Sequence, residues 1–101
     1  MDAADLKGKT ALITGGGAGI GLAIAEAFAL HGAKIVIADK DKDKCQAVEK
    51  SFKAKGYDVL VSHSDVTHTE QVQQMITQLE QRFGGLNILV NNVGDFLGLI
   101  K

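Results

Sequence analysis

Four short apolar runs recur along the chain at regular intervals. They are rich in β-branched residues and apolar at nearly every position, and they occupy residues 10–14, 34–39, 58–62 and 87–91. Continuous apolarity is typical of strands that are covered on both faces, and such strands occur mainly in parallel sheets. The pattern therefore predicts four parallel strands.

The segments between these runs have helical spacing, with apolar residues three and four positions apart. The predicted apolar seams are Ile20, Ala23, Ile24, Ala27 and Phe28 in the first helix, Cys45, Val48 and Phe52 in the second, and Val72, Met75, Ile76, Leu79 and Phe83 in the third. Thr67 and Glu70 match a capping box for the third helix, and glycines stand where each helix should end. The nearly uncharged first helix is expected to be buried.

The order β-α-β-α-β-α-β limits the topology. Crossovers between parallel strands are right-handed, which predicts the spatial strand order 3-2-1-4. This is an α/β fold with a Rossmann-type doubly wound parallel sheet, here a partial one. Ligands bind such sheets at the carboxyl ends of the strands, where the strand order reverses between strands 1 and 4. No linker or repeat divides residues 1–101, so one domain is expected.

The composition is that of a globular protein and excludes several classes of partner. The chain has 101 residues, of which 46% are hydrophobic and 23% charged, and its net charge is −1. No basic field would gather nucleic acid or anionic lipid. One cysteine and three scattered histidines give neither a disulfide framework nor metal-ligand spacing, and no apolar run approaches the ~20 residues of a membrane span. A cytoplasmic setting is expected.

The stretch TGGGAGIG, from Thr14 to Gly21, joins the first strand to the first helix. Backbone N–H groups at a helix N-terminus attract phosphate, and glycines keep side chains out of its way. Leu22 follows Gly21, where a nucleoside-triphosphate loop needs lysine, and a strict Gly-x-Gly-x-x-Gly pattern begun at Gly15 would fail at Ile20. A dinucleotide pyrophosphate is the favoured ligand, and a tight turn without a ligand is the alternative.

Asp39 ends the second predicted strand, 18 residues after Gly21. A carboxylate at this place can accept hydrogen bonds from ribose hydroxyls and would repel a 2′-phosphate, which favours NAD over NADP. Two alternatives stay open. In the first, Asp39 serves only as a cap for the following helix. In the second, Lys40 and Lys42 partly offset the repulsion of a phosphate.

Three motifs, in order, resemble the NAD(P)-binding half of the short-chain dehydrogenase/reductase family. Residues 14–21 are similar to its Thr-Gly-x-x-x-Gly-x-Gly motif, and residues 91–94 to its Asn-Asn-Ala-Gly motif, with Val93 in place of the usual alanine. Asp65 and Val66 match the pair that follows the third strand. The resemblance covers residues 7–94 and implies hydride transfer between a nicotinamide cofactor and an alcohol or carbonyl substrate.

The resemblance also implies cofactor-binding roles for ten residues. They are Gly15, Gly17, Gly19, Ile20 and Gly21 in the turn at the pyrophosphate, Asp39 at the adenosine ribose, Asp65 and Val66 at the adenine, and Asn92 and Gly94 near the nicotinamide ribose. Asn91 would mainly tie the central strands together. A dinucleotide is thus the expected partner.

The catalytic residues of the family have no counterpart in this chain. Tyr57 is the one tyrosine, and Val61 stands where its Tyr-x-x-x-Lys motif would need lysine. An unassisted phenol has a pKa of about 10 and is a poor base at neutral pH. No catalytic residue and no metal ligand are therefore assigned. The chain is expected to be the cofactor-binding portion of an oxidoreductase, truncated before the catalytic half.

A protein of another class is the alternative: a non-catalytic interaction protein that keeps the fold. Truncation would leave the fourth strand as an open apolar edge, which is a hazard unless another chain covers it. Pairing with itself or with a relative is expected through this edge. Residues 95–101 would either fold over the edge or fray.

Overall fold

Strands and helices alternate along the whole described part of the chain. The structure is a computed structural model, and it describes residues 5–92. In order, the elements are β1 (Thr10–Thr14), α1 (Gly19–Leu30), β2 (Lys34–Asp39), α2 (Lys42–Ala54), β3 (Val59–His63), α3 (Thr69–Phe83) and β4 (Ile88–Asn91). The predicted order of elements is confirmed. Gly94 and residues 95–101, which carry sequence predictions, lie outside the described residues.

The four strands form one parallel sheet in the order β3-β2-β1-β4, as predicted. In the register, Thr14 lies opposite Ala38 of β2 and Asn91 of β4, and Asp39 lies opposite His63 of β3. All five residues of β1 are buried, so this strand is covered on both faces. The register brings the carboxyl ends of all four strands to the same edge of the sheet.

Two apolar cores lie on opposite faces of the sheet, because successive strand residues point to opposite sides. Helices α1 and α2 cover one face, where the core includes Ile13, Ile35, Ile37, Ala25, Val48 and Phe52. Helix α3 covers the other face, where the core consists of Leu12, Val36, Ala38, Val66, Val72, Met75 and Leu79. The predicted seams of α2 and α3 are confirmed by this packing.

The predicted seam of α1 is right at Ile24 and Phe28, which pack against the core, and wrong at its other three positions. Its buried residues are Gly21, Ala25 and Ala29, whereas Ile20 is 73% exposed and Leu30 is 61% exposed. The smallest residues of the helix face the sheet, so its backbone lies close to the strands. Leu22, Ile24 and Phe28 are partly buried at the sides of this contact. Ala23 and Ala27 are exposed as well. The expectation that α1 is buried all round is therefore also wrong.

The start of α3 differs from the predicted capping box. His68, not Thr67, is the N-cap residue, and its side chain makes no capping hydrogen bond. The hydroxyl of Thr67 instead donates to Asp65 Oδ1 at 2.6 Å, which removes it from the helix terminus. The predicted end is right, because Gly84 terminates α3 with a left-handed φ of +84°. Strand β3 runs one residue later than predicted, and β4 begins at Ile88.

Strand β4 ends the sheet within residues 5–92, and its outer edge faces no other described strand. Leu89 on this strand is 47% exposed, and Leu86 just before it is also exposed. The open apolar edge expected from the sequence is thus present in the described part of the chain. None of the helices in residues 5–92 is long and apolar enough to cross a membrane.

Candidate functional site

The turn between β1 and α1 has a backbone that only glycine adopts without strain at two positions. Gly15 has a φ of +65° and Gly19 a φ of +59°, both in the left-handed region. The N–H of Gly15 donates to the carbonyl oxygen of Ala38 at 2.7 Å, which fixes the start of the turn beside β2. These two glycines let the chain reverse within a few residues and enter α1 at the carboxyl edge of the sheet.

Two further glycines are required by close packing. A Cβ on Gly21 would overlap the carbonyl oxygen of Gly15 and lie 2.8 Å from Asn92 Nδ2. A Cβ on Gly17 would lie 2.7 Å from Asp39 Oδ2 and 2.8 Å from Lys44 Cβ. The turn is therefore packed tightly against neighbouring elements on both sides.

The N-terminus of α1 carries no side-chain cap. Its N-cap residue is Ala18, which has no side-chain acceptor for the first-turn N–H groups. By contrast, Asp41 caps α2 by accepting from the N–H groups of Asp43 at 3.0 Å and Lys44 at 3.1 Å. Uncapped N–H groups at the positive end of a helix dipole are suited to an anion.

A cleft of about 340 Å³ opens at the carboxyl edge of the sheet beside this turn. Its lining residues are Gly15, Ala18, Ala38, Asp39, Lys40, Lys44, Ser64, Asp65, Val66 and Thr67. The cleft thus brings together the turn, the acid that ends β2 and the pair that follows β3. These three groups of residues are well separated in the sequence.

The other predicted site residues lie around the turn. Gly17, Gly19 and Gly21 belong to the turn and the first residues of α1, and Ile20 is exposed there. Asn92 contacts the turn from the end of β4. Gly94 lies outside the described residues. Sequence reasoning missed Lys44 and Ser64 as cleft residues, and neither carries a sequence signal that separates it from an ordinary surface lysine or loop serine.

Asp39 connects the turn with the start of α2. Its Oδ2 accepts a hydrogen bond from the N–H of Gly17 at 3.0 Å, and its Oδ1 accepts one from the N–H of Asp41 at 2.9 Å. The alternative that Asp39 is only a helix cap is wrong, because Asp41 is the N-cap residue of α2. Asp39 is half-buried in the wall of the cleft.

The carboxyl ends of β1 and β4 are joined by side-chain hydrogen bonds. Thr14 Oγ1 accepts from the N–H of Asn92 at 2.9 Å and lies 3.2 Å from Asn91 Oδ1. Asn92 Nδ2 donates to the carbonyl oxygen of Gly15 at 3.3 Å. The two asparagines therefore hold the first residue of the turn in register with the end of β4.

Asp65 has its carboxylate held by the residues that follow it. Thr67 donates to Asp65 Oδ1 from both its hydroxyl, at 2.6 Å, and its N–H, at 2.9 Å. These hydrogen bonds lower the pKa of Asp65, the hydroxyl contributing most, and the nearby charges of His68 and Lys40 lower it further. A charged carboxylate is thus present at this wall of the cleft at neutral pH.

The variant Thr67→Val is expected to raise the pKa of Asp65 towards its ordinary value, because it removes the hydroxyl donor. Since the folded pKa lies below the unfolded value of about 3.9, ionised Asp65 stabilises the fold above about pH 4, and this contribution is lost as the pH falls through the folded pKa. A carboxyl NMR titration measures the change. Thr77→Val is the matched control, because that hydroxyl donates to Gln73 O; equal Asp65 pKa values in both variants would refute the assignment.

Tyr57 and Cys45, two further side chains that can be reactive in enzymes, belong to the packing of the fold. Tyr57 precedes β3 at the opposite, amino edge of the sheet, where its ring packs edge-on against Phe52 with centroids 5.5 Å apart. Burial, and next the negative charge of Asp39, raise the pKa of the Cys45 thiol, which keeps it protonated at neutral pH. Residues 5–92 contain no cluster of three His, Cys, Asp or Glu side chains that could hold a metal ion.

The parallel sheet, its strand order and the glycine turn after β1 define a Rossmann-type α/β fold. The family model of the short chain dehydrogenases matches residues 9–98. This match covers most of the chain, and the chain therefore belongs to the short chain dehydrogenase family.

Individual relatives agree with this family. An uncharacterized oxidoreductase of Thermotoga maritima is 41% identical over 87 residues, which are 86% of this chain and 34% of that protein. The L-sorbose reductase of Gluconobacter frateurii, solved with NADPH and L-sorbose, is 42% identical with a TM-score of 0.84 over 92% of this chain and 36% of its own. A short chain dehydrogenase/reductase of Burkholderia phymatum, solved with NAD, is 35% identical with a TM-score of 0.81 over 84% and 30%. The chain spans about a third of the length of these relatives.

Proposed function

We propose that this chain is a single dinucleotide-binding unit, the cofactor-binding portion of an oxidoreductase that uses a nicotinamide cofactor. One observation carries the proposal. A single cleft is lined by the glycine turn, by the carboxylate of Asp39 and by Asp65 with Val66. These groups suit the pyrophosphate, the adenosine ribose and the adenine of one ligand, in the order in which such a ligand presents them.

The pyrophosphate is assigned to the turn and the first residues of α1, namely Gly15, Gly17, Gly19, Ile20 and Gly21. The uncapped N–H groups behind Ala18 support this assignment, because they are donors at the positive end of a helix. The missing side chain at Gly19 supports it too, because no heavy atom lies within 4 Å of an added Cβ there and the backbone is open on that side. Asn92 and Gly94 are assigned to the nicotinamide side of the ligand.

The adenosine ribose is assigned to Asp39. An ionised carboxylate offers about four lone-pair positions, and the N–H groups of Gly17 and Asp41 use two of them. The other two are available to ribose hydroxyls. A 2′-phosphate would meet the negative charge of Asp39, which supports NAD as the preferred cofactor, although Lys40 and Lys44 line the same cleft and reduce the repulsion.

The proposed activity is hydride transfer between the cofactor and an alcohol or carbonyl compound. The nicotinamide ring supplies the hydride chemistry when the cofactor is bound. The residues of this chain bind and orient that cofactor, and no catalytic residue is proposed among them, because Tyr57 lies at the opposite edge of the sheet. Neither the described residues nor the relatives favour the non-catalytic alternative.

Pairing with a second chain through the edge of β4 is also proposed. The exposed apolar side chains of Leu86 and Leu89 support it, because an uncovered edge strand offers unpaired N–H and C=O groups to another strand. This proposal is independent of dinucleotide binding, because the cleft lies at the carboxyl ends of the strands.

The proposed function is tested by titrating NADH and, separately, NADPH into the purified chain and following the fluorescence of the reduced nicotinamide. We expect saturable NADH binding that is at least about tenfold tighter than NADPH binding, because of the charge of Asp39. Asp39→Ala is expected to weaken NADH binding by about tenfold and to narrow the preference between the two cofactors.

Asp58→Ala is the matched control for this titration. It makes the same substitution at the amino edge of the sheet. There Asp58 Oδ1 lies 3.2 Å from Arg82 Nη2 on the surface. Surface ion pairs contribute little to stability, so both affinities should stay within about twofold of wild type. Failure of the folded wild-type chain to bind either nucleotide would contradict the proposal.

A further inference from the structure

Asp39 has each of its carboxylate oxygens engaged by a main-chain N–H from a different segment. Oδ2 accepts from Gly17 in the middle of the glycine turn, and Oδ1 accepts from Asp41 just before α2. The donor and acceptor of the first bond are 22 residues apart in the sequence. Both contacts lie within the chain itself, so the carboxylate has a role that ribose recognition does not explain.

The middle of the turn packs closely against Asp39 and α2. Gly17 has no side chain with which to pack, and a Cβ there would collide with Asp39 and with the Cβ of Lys44. The backbone of Gly17 therefore lies directly against the carboxylate and the first turn of α2. A hydrogen bond to an ionised acceptor is stronger than one between neutral groups.

We propose that Asp39 is a positioning residue for the phosphate-binding turn, which it holds in its binding conformation through the N–H of Gly17. This inference rests on the proposed function and extends it, because Asp39 then contributes to the recognition of a group that it does not itself contact. The two engaged lone pairs order the turn, and the two others remain for the ribose.

The direction in which removal of the Asp39 carboxylate changes anion affinity distinguishes this role from a purely electrostatic one. Asp39 is negative, so its removal should strengthen the binding of an anion if charge alone mattered. If the carboxylate orders the turn, its removal should weaken the binding of a diphosphate even when the ligand has no ribose hydroxyl to contact. The two explanations therefore predict opposite changes in affinity.

The first experiment measures hydrogen exchange of the Gly17 amide by solvent-exchange NMR in the ligand-free chain. In Asp39→Ala, exchange at Gly17 is expected to be about tenfold faster or more, because its acceptor is lost. Asp39→Asn replaces the ionised acceptor of the Gly17 N–H by a neutral one, and hydrogen bonds to neutral groups are weaker, so exchange at Gly17 should still accelerate. If Asp39→Ala does not fold, the exchange rate of Gly17 in Asp39→Asn tests the positioning role instead.

Asp41→Ala is the matched control for this exchange measurement. It removes an acidic side chain two residues away and uncaps α2, but its backbone N–H still donates to Asp39. Gly17 exchange should stay within about twofold of wild type in this variant. Equal acceleration in Asp41→Ala and Asp39→Ala would overturn the proposal, because general loosening of α2 would then explain both.

The second experiment compares adenosine diphosphate with its 2′,3′-dideoxy analogue, which lacks both ribose hydroxyls. The proposal predicts that Asp39→Ala weakens binding of both ligands, by about tenfold for adenosine diphosphate and by at least about threefold for the analogue. Unchanged or tighter binding of the analogue would overturn it and leave Asp39 with ribose recognition alone. If wild type binds neither ligand, the proposed function fails, and the Gly17 exchange rates alone decide on the positioning role.

Discussion

Gly21→Ala is expected to destabilise the chain by about 1–3 kcal/mol and to weaken dinucleotide binding by at least about tenfold. The added methyl group would overlap the carbonyl oxygen of Gly15 and approach Asn92 Nδ2. Either α1 moves away from β1 or the turn shifts, and both changes disturb the proposed pyrophosphate site. Chemical denaturation and NADH titration measure the two effects.

The sign of this result is informative, because alanine normally stabilises a helix relative to glycine by about 1 kcal/mol. Gly85→Ala is the matched control: Gly85 has no heavy atom within 4 Å of an added Cβ and no positive φ. Its stability and NADH affinity should stay close to those of wild type. Stabilisation by Gly21→Ala with unchanged affinity would show that α1 does not lie as close to β1 as described.

Leu79→Ala is expected to have the largest effect on stability, lowering the free energy of unfolding by about 2–5 kcal/mol. Leu79 is 1% exposed and belongs to the core between α3 and the sheet. Deleting its buried methyl groups removes apolar contacts and leaves a cavity that a packed interior fills only in part. The loss is a large fraction of the roughly 5–15 kcal/mol by which small domains are stable, so a clearly lower denaturation midpoint is expected.

Leu30→Ala makes the identical substitution at a helix position that is 61% exposed. Its effect on the free energy of unfolding should stay within about 0.5 kcal/mol. Urea denaturation followed by circular dichroism compares the two variants. Ordinary core mutations lower the free energy of unfolding by more than about 1 kcal/mol. A loss of that size in Leu30→Ala would show that Leu30 is packed in solution and not exposed on the outer face of α1.

The sheet could be predicted because its strands are continuously apolar and separated by helices. Runs such as residues 34–39 indicate strands covered on both faces, and the handedness of crossovers then fixes the order β3-β2-β1-β4. The seams of α2 and α3 were equally predictable, because their apolar residues are few and polar residues surround them. For the sheet and these two helices, the hydrophobic pattern is compatible with only one arrangement.

The orientation of α1 could not be predicted from the same pattern. Nearly every residue of this helix is apolar or small, so periodicity does not identify the face towards the sheet. Close packing at Gly21 decides it, and that contact depends on the position of Gly15 and Asn92. The start of α3 was mispredicted for a similar reason: the Thr67 hydroxyl can cap a helix or bond a nearby acid, and here it donates to Asp65.

The sequence predicted which residues form the candidate site better than it predicted the contacts between them. Glycine spacing and the acid after the second strand indicate a dinucleotide site, and the fold brings Gly15, Asp39 and Asp65 to one cleft. The hydrogen bond from Gly17 to Asp39 carries no sequence signal, because it joins residues that only the β1–β2 register brings together. Lys44 enters the cleft for the same reason, through the packing of α2 against the turn.

NMR titration of the isotope-labelled chain with NADH shows whether the pyrophosphate binds at the turn before α1. If it does, we expect saturable shifts, at one common dissociation constant, of the amides of Gly15, Gly17, Gly19 and Gly21, together with those of Asp39 and Val66. Saturable shifts confined to other surfaces, or no shift of these amides in a folded chain, would contradict binding at this turn.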